Sequence, residues 1–459
     1  MGKLMAATNG KPKAAKTRLP AAAQELLRKI ETKQAVCGVV GLGYVGLPLI
    51  LNIDENGFRS LGFDIDQVKV EKLLAGQSYI EHFPDAMIRR LVENGRFSAT
   101  SDFSRTAEAD TISICLPTPL DRNRQPDLTA IRNSMEEMTI YLRPGQLILL
   151  ESTTYPGTTE EVLRPIIERS GLTVGEDVFL AYSPEREDPG NPKYGAANIP
   201  KVLGAVTPAC HAVAAAYYGR LFNVVPVSSC RAAEMTKLLE NIYRCVNIAL
   251  VNELKLLSER MGINIWEVID AAATKPFGFQ PFYPGPGLGG HCIPIDPFYL
   301  SWKALEYDFS TRFIDLAGEI NTRMPYEVVQ SADRALEEHG KTLKGARILV
   351  LGVAYKKNVD DIRESPALKV IHLLKDRGAA IAYFDPHVPF FRSERHGELP
   401  AQSLKALTPN ALREADAVLI LTDHDDVDYD KVVRHAQLVI DTRNATKGVQ
   451  RNREKIVQA

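Results

Sequence analysis

The stretch VCGVVGLGYVGLPLI, Val36 to Ile50, decides the architecture. A charge-free apolar run leads into three glycines, Gly41, Gly43 and Gly46, and apolar residues then resume in a helical segment. Strand, tight glycine turn and helix in that order build a phosphate-binding corner. The glycines permit the turn, let the backbone approach a pyrophosphate and let the helix pack closely on the strand. The helix N-terminus, with Tyr44 and Val45 beside it, faces the phosphates. Asp64 ends the next strand, SLGFDID, 18 residues after Gly46. A carboxylate there accepts hydrogen bonds from a ribose 2′-hydroxyl and disfavours a 2′-phosphate, so the spacing predicts NAD as cofactor in preference to NADP.

Outward from this corner, short apolar runs alternate with helical periodicity. TISICLP, LILLEST and VFLAYSP follow the first two strands, the pattern of a parallel sheet flanked by helices. This predicts a Rossmann domain over 35–215. From about Arg231 to Arg260 a helical pattern runs without Gly or Pro until Gly262. It is apolar on more than one face, through Leu238, Leu239, Ile242, Val246, Leu250, Leu254 and Leu257, which predicts burial in the protomer or against a partner subunit. Helical character continues to about Glu338, giving a central region over 216–338.

KGARILVLGVAYKK then opens a second α/β unit, 339–459, and the first unit is echoed in it. GFRSLGFDID is matched by GAAIAYFDPHV, and EADTISICLPT by EADAVLILTDH. The expected fold class is α/β, with two Rossmann-like doubly wound domains joined by a long central helix and a helical region. Residues 1–34 are expected to be a basic, mobile N-terminal extension, since the first 33 carry eight Lys/Arg against two Glu. Its one amphipathic patch lies near Ala21 to Ile30.

A chain of 459 residues exceeds the size at which one core keeps growing, so two or three domains are expected. With 55 basic and 57 acidic residues the net charge is −2, which gives no global electrostatic reason for nucleic acid or an anionic membrane as partner. The six cysteines are scattered, with no Cys-x-x-Cys pair, which argues against a disulfide framework or a structural zinc and for a reducing cytosol. No apolar run approaches the roughly 18 residues of a membrane span, and the N-terminus has no signal-peptide-like segment. A cytoplasmic protein without a metal is expected.

Several motifs carry chemistry. LILLESTTYPG sets Glu151 at a strand end, followed by Ser152 and Thr153, and CLPTPLD sets Cys115 and Thr118 at another. In a doubly wound sheet the carboxyl ends of the strands line the ligand crevice. SPEREDPGNP offers Glu185 and Arg186 on a loop, either as substrate contacts or as ordinary loop charges. In EMTKLLENIYRCVN, Lys237 and Asn241 are four apart and share a helix face. A lysine in a mostly buried helix must be paired, here with Glu234 or Glu240, or functional.

The second domain lacks the glycine fingerprint: VLGVAYKK keeps Gly352 and places Tyr355, Lys356 and Lys357 at the phosphate-facing turn. A different anion fits it better than a second dinucleotide, and Arg363 in NVDDIRES is another anion contact; solvated charge is the alternative for each. TDHDDVDYD gathers His424 with Asp423, Asp425, Asp426 and Asp428 and reads as a solvated acidic loop, because oxygen-rich metal cages need defined spacing.

GPGLGGHCIPID, 285–296, places Gly289, His291 and Cys292 on a glycine-rich loop. Asp296 before Pro297 reads as a helix N-cap. Cys292 lies outside any apolar periodic run, unlike Cys245. An unperturbed thiol with a pKa of about 8.5 is only a few per cent thiolate at neutral pH, so reactivity needs a base or cation nearby. His291, Lys237 and Asp296 are the available groups.

Together these motifs resemble the nucleotide-sugar 6-dehydrogenases of the UDP-glucose/GDP-mannose dehydrogenase family over about residues 35 to 450. TKPFGFQPFYPGPGLGGHCIPIDP is most similar to the UDP-N-acetylglucosamine 6-dehydrogenases of surface-polysaccharide synthesis, including lipopolysaccharide O-antigen. The resemblance implies that a UDP-sugar is oxidised at C6 from alcohol to acid in two hydride transfers to NAD+. Cys292 would hold the aldehyde as a thiohemiacetal and then a thioester. Lys237 and Asn241 would stabilise oxyanions, Lys237 or a water held by Asp296 would act as base, and Glu151 would assist hydrolysis. It further implies that the last domain binds the UDP portion near Tyr355, Lys356 and Arg443, and that the long helix forms the core of a homodimer or larger homo-oligomer. Cofactor contacts would come from the glycine loop, Asp64, Thr118, Thr153 and Arg363; Glu185, Arg186 and Gly289 would join Lys237 and Asn241 around the substrate. UDP-glucose enzymes tend to carry Thr-Pro-Thr where this chain has Thr118-Pro119-Leu120, so Thr118 is assigned to cofactor contact only.

Other readings are a UDP-glucose or UDP-N-acetylgalactosamine 6-dehydrogenase, a β-hydroxyacid dehydrogenase and a non-catalytic nucleotide-binding protein. The β-hydroxyacid enzymes make a single hydride transfer and need neither Cys292 nor the second α/β domain. A non-catalytic protein would not retain Cys292, Lys237, Asn241, Asp296 and Glu151 together.

Overall fold

A computed structural model describes residues 18–80, 83–121, 123–186, 198–290, 293–390 and 403–459. His291 and Cys292 lie outside the described residues, as do the first 17 positions and 187–197 of the loop after Arg186.

Two sheets carry the chain. The first contains β1 (Val36–Val40), β2 (Arg59–Phe63), β3 (Phe97–Thr100), β4 (Thr111–Ile114), β5 (Leu147–Leu150), β6 (Phe179–Tyr182), β7 (Lys201–Ala205) and β8 (Val224–Pro226). They lie in the order β3-β2-β1-β4-β5-β6-β7-β8, parallel except for the antiparallel β6–β7 pair. The first six have the doubly wound dinucleotide-binding order, whose crevice opens where the order reverses, between β1 and β4. Strands β4, β5 and β6 are buried at every position, which explains why they read as continuous apolar runs without alternation.

The second sheet has β9 (Arg347–Leu351), β10 (Ala380–Phe384), β11 (Ala417–Ile420), β12 (Val439–Asp441) and β13 (Ile456–Gln458), all parallel. Their order, β10-β9-β11-β12-β13, is the shorter doubly wound arrangement. The sequence echo is therefore structural. At both crevices a glycine with positive φ sits where a Cβ would strike the neighbouring strand end: Gly41 (φ +89) would meet the Cys115 carbonyl oxygen at 2.7 Å, and Gly352 (φ +81) the Thr422 carbonyl oxygen at 2.6 Å.

Between the sheets runs the central helix Cys230–Met261, capped at its start by the Ser229 side chain and ended by Gly262 in the left-handed conformation. The helix Arg312–Glu338, with Pro325 inside it, packs along it. Asn252 Nδ2–H donates to Asn321 Oδ1 across the pair at 2.9 Å.

Two expectations change and a third narrows. The N-terminal extension is not wholly a mobile tail: Ala21–Glu31 is a helix whose Ala23, Leu26 and Ile30 are at most 1% exposed in the first core. That amphipathic patch found a face to cover. The expected boundary at 215 falls inside the helix Pro208–Leu221, and β8 extends the first sheet to Pro226. The central helix, expected to be buried in the protomer or against a partner subunit, leaves part of its apolar surface outside the protomer: Leu239 and Leu257 are 59% and 52% exposed, and Leu250 and Leu254 are exposed as well. Among the described residues no helix is long and apolar enough to cross a membrane.

Candidate active site

The glycine corner forms as the sequence predicts. Gly46 begins the helix Gly46–Glu55, and a Cβ on it would lie 1.9 Å from the Gly41 carbonyl oxygen, whereas one on Gly43 would meet nothing within 4 Å. The first position demands glycine for helix–strand packing; the second leaves open space beside a helix N-terminus where a pyrophosphate fits. Asp64, at the end of β2, accepts from the Leu42 N–H at 3.0 Å and from the Asp66 N–H at 3.0 Å. The same carboxylate thus steadies the turn and stands next to it. Val45 is the last residue before the helix. Tyr44 carries the Arg363 guanidinium over its ring, 4.4 Å from the centroid, and Arg363 is held from behind by Asp361 at 2.7 Å. Arg363 comes from the second domain, so both domains wall the cofactor crevice.

Thr118 has a structural role that the sequence does not show. Its hydroxyl donates to the Thr153 carbonyl at 2.8 Å, tying the ends of β4 and β5 together, and its own carbonyl accepts from the Tyr299 hydroxyl. With that hydroxyl engaged by the backbone, Thr118 acts here as a brace for the crevice wall.

Glu151, 1% exposed, is not a solitary carboxylate. It accepts from Lys201 Nζ at 2.6 Å and from the Tyr218 hydroxyl at 2.5 Å. Lys201 also donates to Glu185 at 2.8 Å. Burial opposes the lysine's charge, but the two carboxylates outweigh it and hold its pKa above the ordinary value. Arg186 pairs with Glu240 of the central helix at 2.6 Å. Glu185 and Arg186, expected as substrate contacts, therefore anchor their loop to the sheet and the helix.

A second cluster forms on the central helix. Lys237 is 6% exposed, and both structural partners that the sequence offered it are engaged elsewhere. Glu234 accepts from Gly157 and Thr159 N–H groups at 2.5 and 2.9 Å, and Glu240 holds Arg186. Among the described residues Lys237 instead faces Asp296, whose charge it favours. Asn241, fully buried, donates through Nδ2 to Asp296 Oδ2 and accepts at Oδ1 from Arg244. Asp296 begins the helix Asp296–Ala304 without making a side-chain cap; the N-cap reading is corrected, because its carboxylate turns inward to Asn241. Burial lifts its pKa to about 6 against the pull of Lys237, Asn241 and Arg244.

The glycine loop leads into this cluster. The Gly285 N–H donates to Asn252 Oδ1 at 3.0 Å, and the Gly290 N–H donates to the Arg363 carbonyl at 3.2 Å. A Cβ on Gly285 would lie 2.4 Å from the Arg443 guanidinium, and one on Gly289 would lie 2.7 Å from Tyr355. The glycines thus serve close contact with the second domain, and the need for glycine at Gly289 comes from Tyr355 and Pro366. The loop is gripped on both sides immediately before 291–292. Burial pushes the thiols of Cys37 and Cys245 up to about 12 and about 11, and raises those of Cys115 and Cys230, so these four are poor nucleophiles.

In the second domain, Lys356 and Tyr355 lie on the turn after β9. Lys357 pairs with Asp425 at 3.1 Å. Burial lowers the pKa of Arg443, against the attraction of Asp423 and Asp441. The solvated-loop reading fails for His424, which is fully buried: it accepts from the Asn358 N–H at Nδ1 and meets Asp385 at Nε2. Asp385 accepts from the Val353 and Ala354 N–H groups, as Asp64 does from Leu42. Among the described residues no group of His, Cys, Asp and Glu is arranged to hold a metal.

Sequence reasoning missed Lys201, Tyr218, Arg244 and Tyr299. Each is an ordinary residue in an apolar run or helix whose partner stands far along the chain, except Arg244, one turn after Asn241.

Comparison with known proteins accords with this arrangement. Residues 35–222 match the NAD binding domain of the UDP-glucose/GDP-mannose dehydrogenase family, 231–323 its central domain and 349–448 its UDP binding domain. A UDP-N-acetyl-D-glucosamine 6-dehydrogenase of Pseudomonas aeruginosa is 35% identical over 78% of this chain and 84% of its own. An NDP-N-acetyl-D-galactosaminuronic acid dehydrogenase of Ralstonia solanacearum is 34% identical over 91% of this chain and 97% of its own. Among solved structures, the UDP-D-ManNAc dehydrogenase of Pyrococcus horikoshii superposes with a TM-score of 0.81 at 31% identity, covering 89% of this chain and 96% of that one. The chain belongs to the UDP-glucose/GDP-mannose dehydrogenase family and is an NAD-dependent nucleotide-sugar dehydrogenase.

Proposed function

We propose that the protein oxidises the C6 hydroxyl of UDP-N-acetylglucosamine to the uronic acid, through a thiohemiacetal and a thioester on Cys292, to supply surface-polysaccharide synthesis. The observation that carries this reading is the glycine loop held between the central helix and the second domain, which leads directly into the Lys237–Asn241–Asp296 cluster. The stretch TKPFGFQPFYPGPGLGGHCIPIDP, most similar to that of the UDP-N-acetylglucosamine 6-dehydrogenases, and the 35% identity to the Pseudomonas aeruginosa enzyme support the N-acetylglucosamine nucleotide.

The glycine corner and Asp64 would hold two NAD+ in succession, each supplying the acceptor for one hydride. The residues of this chain do the rest. Neutral Lys237, or a water held by ionised Asp296, takes the hydroxyl proton, and the Cys292 thiolate adds to the aldehyde carbon. The Asn241 amide N–H and the Lys237 ammonium donate to the oxygen on which charge develops. Loss of a second hydride leaves the thioester, and water then releases the carboxylate and regenerates the thiol. Glu151 assists that hydrolysis once its contact with Lys201 is exchanged for water. Asp64 receives the ribose hydroxyls, Arg363 and Tyr44 border the cofactor, and Lys356, Tyr355 and Arg443 surround the UDP. The exposed apolar stripe on the central helix supports a homodimer built along it, and the scattered cysteines suit a reducing cytosol.

The test is turnover of purified protein with NAD+ and a panel of UDP-linked glucose, N-acetylglucosamine, N-acetylgalactosamine and N-acetylmannosamine. Two NADH per acid are expected, with the highest kcat/KM for N-acetylglucosamine. Cys292→Ala is expected to abolish acid formation, and His291→Ala to cost far less. One NADH per turnover, or full activity in Cys292→Ala, sinks the mechanism; a preference for another sugar sinks the substrate assignment alone.

A further inference from the structure

We propose that Arg244 is a positioning residue of the reaction, holding the Asn241 amide in the orientation that points its NH2 group at Asp296 and at the developing oxyanion. The proposal rests on the reading of Asn241 as an oxyanion donor. An asparagine amide offers one oxygen acceptor and one NH2 donor, and rotation by half a turn exchanges them. What fixes it is the identity of its neighbours. Arg244 Nη2 donates to Asn241 Oδ1, and Asn241 Nδ2 donates to Asp296 Oδ2. Arginine has no acceptor and keeps its charge, so the oxygen of the amide faces it at every working pH.

Asp296 alone is not such an anchor. Ionised, it only accepts and would orient the NH2 toward itself. Protonated, it also donates, and the flipped amide would then be satisfied equally well. The groups that face Asp296 are Lys237 and Arg244 on the central helix and Tyr182 at the end of β6. In this setting burial lifts its pKa to about 6, so the carboxyl changes state close to neutrality. Arg244 keeps the catalytic donor in place while that happens.

The experiment compares wild type, Arg244→Met and Arg244→Lys as full-length protein, following NADH formation from pH 5.5 to 8.5. Arg244→Met is expected to lower kcat at least tenfold near pH 6 and less than threefold above pH 8, where ionised Asp296 orients the amide unaided. KM for NAD+ should stay within twofold, and Arg244→Lys, which keeps a charged donor, should recover most of the loss. A loss equal at every pH, or a rise in KM for the UDP-sugar with kcat unchanged, overturns the proposal. Melting temperature against pH gives a readout that needs no turnover: removing the cation should move the Asp296 inflection upward, and an unmoved inflection overturns it. If wild type makes no acid from any UDP-sugar, the functional reading fails, and the melting inflection still decides whether Arg244 governs the pair.

Discussion

In the role proposed for it, Asp296 would serve chemistry against stability. Its carboxyl is 3% exposed and its pKa is lifted from 3.8 to about 6 by burial. The folded protein therefore binds this proton more tightly than the unfolded chain does. Between those two values the unfolded state binds fewer protons, so stability falls as pH rises through the window, and the deficit is fully present above pH 6. Two pH units at about 1.4 kcal/mol each put it at about 3 kcal/mol. Asp296→Asn keeps the shape and an acceptor for Asn241 but carries no charge. Urea denaturation is expected to show it more stable than wild type at pH 7.5 by an amount of that order, with the difference gone below pH 4, while acid formation is lost. A variant less stable at pH 7.5 would show that Lys237 and Asn241 more than offset the burial of the charge.

At the scale of elements, the central helix carries the largest departure from a self-contained protomer. Leu239, Tyr243, Leu250, Leu254, Leu257 and Met261 are all at least 40% exposed, and they recur at helical spacing along one stripe. Apolar side chains so aligned are costly to leave in water, at roughly 25 cal/mol per Å2. Leu250→Glu with Leu257→Glu is expected to convert a dimer to a monomer in light scattering after gel filtration, leaving the circular dichroism spectrum unchanged; an unaltered mass would place the interface elsewhere. The sequence showed that this helix has more apolar faces than one protomer covers, but not which stripe lies outside. That depends on the helix Arg312–Glu338, whose packing is settled by contacts such as Asn252–Asn321. The N-terminal helix was hidden for the opposite reason. Its neighbours are basic and polar, and only its own short period reveals Leu26 and Ile30.

For the whole molecule, two doubly wound sheets around a helical middle were legible, because apolar runs and a glycine turn are local signals. The boundary between first domain and middle was not, since β8 is three residues long and joins its sheet by pairing with β7. The candidate site divides in the same way. Lys237, Asn241 and Asp296 were readable from motifs, whereas Lys201 was not, being a lysine at the start of a strand with partners 50 and 16 residues away. His424 was misread because nothing in TDHDDVDYD reveals that Asp385 and Asn358 enclose it. At this scale the contact of Arg363 with Tyr44 gives a prediction. Arg363→Ala is expected to raise KM for NAD+ about tenfold, removing a cation–π contact worth on the order of 1 kcal/mol and a wall of the crevice, while UDP binding by calorimetry is unaltered. Equal loss of both ligands would mean that the residue shapes the second domain itself.

That same contact bears on containment. A cofactor crevice with one wall borrowed from the neighbouring domain would release its occupant by parting from that wall. In the two-step oxidation proposed above, that parting would fall midway, when the sugar is at the aldehyde level and would otherwise diffuse out and modify amines. The covalent tether to Cys292 proposed above would remove that hazard, letting the enzyme open for its second cofactor without leaking its intermediate.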